Sequence, residues 1–384
     1  MEKFSLTDIK KMNYSDVYHY IYSNDKCSKQ SIANALQMSL PTVTQHLNML
    51  LQEGFIETSG QLQSQIGRKA VAYTITPSAR VSIGVEILKN KLTIAVLNLY
   101  GHIWFQKICR IPFRDSADYF KEVSTEIRQF ILEQEIESKN VLGIAFALQG
   151  LVSQDSRNII YGKILDCTGL SISSFEEHLD YPCRFVHDAE CAAMTELWDH
   201  PKLSHAVYFS LGYHLGGAII INGEIQSGRT GRSGTIEHMT LVPGGLPCYC
   251  GQMGCMECYC SANALLAGNG DSGNEDLDAF FEAKNAGSRE QEDRWVRYLN
   301  YLAMAINNLH MVIDSEVILG GHLAPYMNEQ DLEYLHARMQ KTTAFPEADT
   351  FLSLGKRKSS TVATGAALYY IKDFLQNLSG GHDW

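Results

Sequence analysis

The chain has 384 residues, of which 45% are hydrophobic, and its formal net charge is −11 at pH 7. That length exceeds what one hydrophobic core usually serves, which predicts two or three domains. No apolar run approaches the roughly eighteen residues of a membrane-spanning helix, and the acidic balance counts against nucleic-acid binding by the whole surface. Residues 1–80, however, carry eight Lys and Arg against six Asp and Glu, so a mildly basic module precedes an acidic body.

The basic module has the element pattern of a helix-turn-helix. A helix over about residues 6–22 is followed by a short helix that Ser28 caps. A tight turn at 37–39 leads to a third helix near Pro41, a residue that is favoured in a first helical turn.

The third helix has two distinct faces. Its apolar face carries residues at helical spacing, namely Val43, Leu47, Leu50 and Leu51. Short polar side chains near the start of the opposite face can reach base edges in the major groove without desolvating a charge. We therefore predict Thr42, Gln45 and Asn48 as DNA-binding residues.

Two strands, over residues 55–58 and 71–76, flank a polar tip and are predicted to form a wing. Arg68 and Lys69 at this tip can meet phosphates or the minor groove. A small helical module with solvated charges and no DNA partner is the alternative. We place the winged helix-turn-helix DNA-binding domain at residues 1–80.

Beyond residue 80 the pattern changes to strands followed by helices. The predicted strands of this part are 81–87, 91–99, 102–111, 141–148 and 183–186. The first three form a meander, and the fourth is almost continuously apolar, as a central strand covered on both faces requires. The last strand ends at His187 and Asp188.

The remainder of the chain repeats this plan. Its predicted strands are 206–210, 217–221, 224–226, 317–321 and 351–354. A long amphipathic helix carries an apolar stripe from Trp295 to Ile313, and a final helix covers 361–378. The pattern therefore indicates two lobes of similar strand order.

Between these elements, five cysteines fall within thirteen residues. Cys248, Cys250 and Cys255, with His238, supply the three thiolates and one imidazole of a structural zinc site. Such a site adds folding free energy to a glycine-rich loop that cannot hold its own shape. A disulfide pair or inert buried thiols are the alternative. The N-terminus lacks the apolar core of a signal peptide, so we expect a reducing cytoplasm.

From His238 to Glu257 the motif is H-x9-C-x-C-G-x-x-G-C-x-E. It resembles the signature of the ROK family, which contains bacterial repressors, open reading frames and sugar kinases. The loop that carries the cysteines, residues 238–257, is called the knuckle below. The resemblance implies that the knuckle supports a sugar pocket, with His238 and Glu257 facing the sugar. The S-x-x-G-R stretch from Ser64 to Arg68 also resembles the wing of ROK repressors.

The same resemblance implies an α/β fold in which a winged helix-turn-helix precedes a two-lobed ribonuclease-H-like domain, as in actin and hexokinase. Residues 81–188 with 365–384 would form the first lobe. Residues 189–364 would form the second lobe, which contains the zinc knuckle. The last helix would pack back across the first lobe.

The family resemblance also implies a sugar site in the cleft between the lobes. Asp188 resembles the aspartate of the family motif N-D-A-N, which is the general base in the kinases, although here the motif reads H-D-A-E. The family's E-x-G-H, whose glutamate binds two sugar hydroxyls, reads T-I-E-H over residues 235–238. A buried polar network without a ligand is the alternative. The implied sugar-binding residues are Asp188, His187, Thr235, His238, Glu257 and Gly150.

The glycine turns that hold ATP phosphates in the kinases are altered here. The family's G-x-D-x-G-G-T reads G-V-E-I-L-K-N over residues 84–90, and G-T-G-x-G-G-G reads G-Y-H-L-G-G-A over 212–218. Side chains thus replace glycines whose backbone N–H groups would wrap phosphates. We predict a domain that does not bind ATP and is not an enzyme, with Asp188 catalytic only if the chain is a kinase.

These observations together predict a sugar-responsive transcription factor, most simply a repressor that a monosaccharide or its derivative releases from DNA. It would bind a palindromic, A/T-rich operator as a homodimer or tetramer, with no membrane partner. One alternative is a ROK sugar kinase with an attached DNA-binding domain. Another is a zinc-dependent interaction protein with neither ligand nor operator.

Overall fold

The structure is a computed structural model that describes residues 5–62, 69–267, 276–356 and 361–378. The N-terminal module contains three helices, α1 (Leu6–Tyr22), α2 (Lys29–Leu36) and α3 (Leu40–Gln52). Its three strands are β1 (Cys27–Ser28), β2 (Ile56–Leu62) and β3 (Ala70–Ile75), which pair in the order β1-β3-β2. These elements confirm the predicted winged helix-turn-helix, with β2 and β3 as the strands of the wing.

Serine side chains begin all three helices of this module. Ser5, Ser28 and Ser39 each accept a hydrogen bond from a backbone N–H of the first turn. Gln37 ends α2 in the left-handed region, with φ 53°, which makes the tight turn into α3. The predicted core residue Leu51 is only half-buried, because it lies in the last turn of α3. The fully buried residues of α3 are Val43, His46, Leu47 and Leu50.

The first lobe is built on a five-stranded sheet. The strands of this part are β4 (Val81–Ile87), β5 (Leu92–Asn98), β6 (Ile103–Cys109), β7 (Val141–Leu148), β8 (Leu151–Val152), β9 (Ile159–Tyr161) and β10 (Cys183–His187). The order in the sheet is β10-β7-β4-β5-β6, while β8 and β9 form a separate hairpin. Helices α4 (Ala117–Glu133) and α5 (Ser173–Glu176) contribute buried side chains to its core.

The register of this sheet positions the candidate site. Leu148 at the end of β7 lies level with His187 of β10 and with Ile87 of β4. The three strands are parallel, so their carboxyl ends meet at one edge of the sheet. Side chains that follow these strands in sequence are thereby brought close together.

The second lobe has a sheet with the same plan. Its strands are β11 (Ala206–Leu211), β12 (Leu215–Ile221), β13 (Glu224–Ile225), β14 (Glu316–Gly320) and β15 (Leu352–Leu354). They pair in the order β13-β12-β11-β14-β15, an antiparallel meander followed by two parallel strands. The helices after β10 are α6 (Asp188–Asp199), α7 (Glu257–Cys260), α8 (Ala262–Ala267), α9 (Leu277–Asn285), α10 (Arg289–His310), α11 (Glu329–Gln340) and α12 (Thr361–Asn377).

Helix α10 buries the predicted apolar stripe in the core of the second lobe, from Trp295 to Leu309, and Ile313 packs at its margin. The opposite face of α10 is polar, as expected for an amphipathic helix. Neither α10 nor any other helix in the four described ranges has an apolar stretch long enough to cross a membrane.

Helices α6 and α12 pack against each other, and α12 also covers β4, β5 and β7 of the first sheet. Two glycines permit this close approach. A Cβ atom at Gly84 would lie 1.8 Å from the backbone oxygen of Ala363, and one at Gly365 would lie 1.7 Å from that of Cys191. The final helix therefore packs across the first lobe, as the family resemblance implies.

The end of α12 also packs against the winged-helix module. The ring of Phe374 lies 5.5 Å from that of Phe55 and 6.4 Å from that of Tyr18. Tyr22 stacks on Tyr100 at 5.0 Å and donates a hydrogen bond from its hydroxyl to the backbone oxygen of Leu99 at 2.8 Å. The module and the first lobe consequently share one hydrophobic core.

Candidate functional site

A cavity of about 350 Å³ opens at the edge where the parallel strands of the first lobe end. The first lobe contributes the segment after β7 and the start of α6, and the second contributes the start of β12 and the segment before the cysteine knuckle. The cavity, called the cleft below, is therefore formed by both lobes. The predicted sugar-binding residues that line it are Gly150, His187, Asp188, Thr235 and His238.

Asp188 is the first residue of α6 and follows β10 directly. Its Oδ1 accepts a hydrogen bond from the backbone N–H of Ala189 at 2.8 Å and lies 3.4 Å from Nε2 of His187. The carboxylate lies at the N-terminal end of α6, where the helix dipole is positive. Asp188 thus presents an oriented acceptor to any ligand donor in the cleft.

Glu257, the remaining predicted sugar-binding residue, is not among the residues that line the cleft. It is buried, and its carboxylate contacts Nδ1 of His214 at 2.7 Å and accepts the backbone N–H of Leu215 at 2.7 Å. His214 lines the cleft in front of it. From the sequence, His214 was interpreted only as the replacement of a glycine in a phosphate turn, so its contact with Glu257 was not predicted.

Glu237 is a second residue of the cleft that was not predicted as a site residue. It is 7% exposed, and its Oε2 has no hydrogen-bond partner among the described residues. Burial raises the pKa of Glu237 to about 7, while the nearby His187 favours the charged form. Glu237 could have been recognised from its position, because it replaces the glycine of the family motif E-x-G-H, directly before the predicted site residue His238.

Glu86, in β4, is a further acid next to the cleft. Burial, together with the negative charge of Asp188, raises the pKa of Glu86 to about 7. Glu86 and Asp188, whose negative charges repel each other, thus lie at the carboxyl edge of the first sheet. A positive or hydrogen-bond-donating group in the cleft would relieve that repulsion.

The four predicted metal ligands form one cluster. Their ligand atoms all lie within 4.8 Å of one another, with Cys250 Sγ 3.7 Å from Cys255 Sγ and Cys248 Sγ 3.8 Å from His238 Nδ1. A tetrahedral ion with metal–sulfur bonds of about 2.3 Å gives edges of about 3.8 Å, so the donor set fits a metal of zinc's size. All three cysteines are free thiols.

The backbone of the knuckle is shaped by glycines. Gly251 and Gly254 have φ of 89° and 78°, and a Cβ atom at Gly254 would lie 1.8 Å from the backbone oxygen of Val242. The two other cysteines of the run lie outside the ligand set. Cys260 is buried in the core of the second lobe, and Cys258 Sγ lies 3.5 Å from the backbone oxygen of Pro247.

Aromatic rings occupy the second altered glycine turn. The ring of Tyr213 lies 5.1 Å from that of His322, which follows Gly320, the last residue of β14, and Gly321. The next residue, His214, turns toward the cleft and Glu257. These side chains stand where the kinase motif has glycine and threonine.

Among the predicted DNA-binding residues, Gln45 and Asn48 are exposed on α3. Thr42 is half-buried, and its hydroxyl lies 2.8 Å from the hydroxyl of the helix-capping Ser39. Lys69 is exposed at the wing, whereas Arg68 lies outside the described residues. The exposed amides of α3 are therefore the clearest candidates for base contacts.

These features define a class of protein in which a winged helix-turn-helix module is joined to a two-lobed ribonuclease-H-like domain with a polar cleft. Residues 16–57 match the winged helix-turn-helix DNA-binding family, and residues 82–372 match the ROK family. The protein belongs to the ROK family.

Several curated proteins named as repressors or regulators are similar to this chain. A putative xylose repressor of Caldicellulosiruptor sp. (strain Rt8B.4) is 25% identical over 391 residues, which cover 96% of this chain and 97% of that protein. The xylose repressor of Bacillus subtilis (strain 168) is 26% identical and covers 68% of each chain. The regulator NagC of Escherichia coli (strain K12) is 27% identical, over 67% of this chain and 64% of that protein.

Solved structures show the same fold. A ROK family transcriptional regulator, described as a homologue of the E. coli MLC protein, superposes with a TM-score of 0.76 at 21% identity and covers 96% of both chains. A ROK family glucokinase from Streptomyces griseus superposes with a TM-score of 0.64 at 21% identity, over 75% of this chain and 98% of that one.

Proposed function

We propose that this protein is a sugar-responsive transcriptional repressor. The observation that carries the proposal is a continuous line of packing from the cleft to the DNA-binding module. Asp188 begins α6, α6 packs along α12, and α12 ends against the aromatic core of the winged helix. A ligand that displaces α6 would therefore shift the surface on which α3 is mounted.

The names of the relatives support this proposal, since proteins called xylose repressor and N-acetylglucosamine repressor match this chain over two thirds of its length or more. The proposed sugar-binding residues are those of the cleft, and Glu257 acts through His214. The altered glycine turns favour a binding protein over a kinase, so we propose that the chain is not an enzyme.

We further propose that the cysteine knuckle holds Zn²⁺ through His238, Cys248, Cys250 and Cys255. When bound, the ion supplies a fixed tetrahedral centre of positive charge that stabilises the loop. Because Nδ1 of His238 faces the thiols, Nε2 carries the ring proton and can donate it to a ligand acceptor in the cleft.

On DNA, we propose a homodimer or tetramer that binds a palindromic, A/T-rich operator. Two α3 helices would then enter successive major grooves about 34 Å apart, with Gln45 and Asn48 at the base edges. The sugar must bind the DNA-incompetent state more tightly if it is to release the operator. The protein is proposed to act in the reducing cytoplasm, where the knuckle thiols stay available for a metal.

The test begins with selection of genomic fragments on the purified full-length protein, followed by a gel-shift titration with a panel of monosaccharides. We expect one sugar to weaken operator binding in the wild type. The Asp188→Asn variant should bind the operator equally well, yet respond only at about 10- to 100-fold higher sugar concentration, because a charged hydrogen bond is lost.

An exposed acid of the same lobe provides the control, so Asp180→Asn should behave like the wild type. Failure to select any DNA would contradict the proposed repressor. Release of ADP by the pure protein in the presence of a sugar would instead support the kinase alternative.

A further inference from the structure

Glu237 lines the cleft with one carboxylate oxygen unpaired. The residue is 7% exposed, its Oε1 lies 3.9 Å from Nε2 of His238, and its Oε2 has no hydrogen-bond partner in the described part of the chain. A buried carboxylate oxygen without a donor has lost its hydrogen bonds to water, and no protein hydrogen bond offsets the free-energy cost of that loss. A donor group of a ligand in the cleft would supply the missing partner.

The acid also occupies a new place relative to the family motif. Where that motif has glutamate, this chain has Thr235, whose hydroxyl already donates to the backbone oxygen of Arg232 at 2.9 Å. The short helical turn Ile236–His238 then presents Glu237 to the cleft. The carboxylate has therefore been moved by two positions, which changes the direction from which it meets a ligand.

Two carboxylates and three histidines line the cleft, namely Asp188, Glu237, His187, His214 and His238. Asp188 and Glu237 line it, and the buried Glu257 lies directly behind the lining residue His214. The two cationic side chains of the lining, Lys163 and Arg232, are both exposed, so solvent screens them. A hydroxyl of a neutral sugar could give Glu237 Oε2 the hydrogen-bond donor it lacks, whereas an ammonium group could donate to Glu237 and to Asp188 at the same time.

We propose that Glu237 is a ligand-binding residue and that the effector is an amino sugar with a free ammonium group, which Glu237 and Asp188 bind together. This inference rests on the proposed function. An ammonium group brings three N–H donors and one positive charge, whereas a hydroxyl brings a single donor and no charge. The cleft volume of about 350 Å³ is sufficient for a single pyranose ring.

The test uses isothermal titration on the full-length, zinc-loaded wild-type protein. Three matched sets are compared, in which glucose, galactose or mannose is set against its 2-amino and 2-acetamido derivatives. We expect one free amine to bind at least tenfold more tightly than both of its neutral counterparts. The same amine should be the better releasing agent in the operator gel shift.

The Glu237→Gln variant, which preserves size but removes the charge, should lose at least tenfold of that preference while its zinc content stays unchanged. Glu190→Gln, in the first turn of α6 but not in the lining of the cleft, is the matched control. A neutral sugar that binds as well as its amine, or a Glu237→Gln variant with the preference intact, overturns this inference and leaves the repressor standing. If no monosaccharide binds at all, the inference and the sugar response both fall.

Discussion

Glu86 shows how a single residue can make stability depend on pH. Its folded pKa of about 7 lies above the ordinary value of 4.5, so folding favours the protonated form. The contribution of protonated Glu86 to the free energy of unfolding is therefore fully present below pH 4.5 and is lost as pH rises through 7. Above pH 7 the fold holds a charge that the burial of Glu86 and the nearby Asp188 both oppose.

We expect Glu86→Gln to raise the free energy of unfolding by about 1–2 kcal/mol at pH 8, with the gain shrinking toward zero near pH 5. Urea unfolding at both pH values measures the difference. The exposed Glu177→Gln provides the control and should show no such pH dependence. An equal effect of Glu86→Gln at pH 5 and pH 8 would contradict the explanation.

Only some of the individual site residues could be predicted from the sequence. Asp188 and His187 could be predicted because a strand end faces a cleft in this fold, and His238 and Thr235 followed from the family motif. Glu237 and His214 could not, since their side-chain directions depend on a short helical turn and on a hydrogen bond to Glu257. The directions of these two side chains leave no pattern in the sequence, although the replacement of the motif's glycine marks position 237.

The knuckle is the element that the proposed zinc ion would stabilise. We expect Cys255→Ser to abolish stoichiometric zinc binding and to lower the melting temperature by several degrees, because the loss of one metal ligand would remove the folding free energy that the ion supplies. Cys258→Ser, outside the ligand set, should retain the zinc. Metal analysis and thermal melting measure both effects, and a metal-replete Cys255→Ser protein would contradict the assigned ligand set.

The crossing of α6 and α12 leaves no space for an additional methyl group. We expect Gly365→Ala to destabilise the protein by about 1–3 kcal/mol or more, because two helix backbones would have to separate. Gln376→Ala, on the exposed side of α12, should be neutral or slightly stabilising. Denaturant unfolding measures both variants, and a Gly365→Ala protein as stable as the wild type would show that the crossing can adapt.

Element order was largely predictable, because caps, periodicity and apolar runs are local signals. Ser28 and Ser39 cap their helices, and both meanders have the predicted strand order. The β8–β9 hairpin and α5 were missed, since elements of two to four residues carry too little periodicity to be recognised. The packing of α12 on the winged helix was also missed, because it joins segments far apart in sequence.

For the whole molecule, Phe374 is one of the residues through which the ROK domain packs against the DNA-binding module. We expect Phe374→Ala to cost about 3–5 kcal/mol at this junction. Calorimetry should then show two unfolding transitions, and the effector should no longer weaken operator binding although the operator is still bound. Phe345→Ala, at an exposed site, should preserve one transition and the response. A coupled response in Phe374→Ala would place the connection elsewhere.

The shared core of the winged helix and α12 has a consequence for biosynthesis. Tyr18 and Phe55 leave the ribosome more than three hundred residues before their partner Phe374. The winged-helix module is therefore synthesised early but cannot pack against α12 until translation is nearly complete. Nascent or prematurely terminated chains would lack α12, and the aromatic rings of their winged-helix module would be exposed. Such chains are expected to be substrates for chaperones and proteases rather than competitors for the operator.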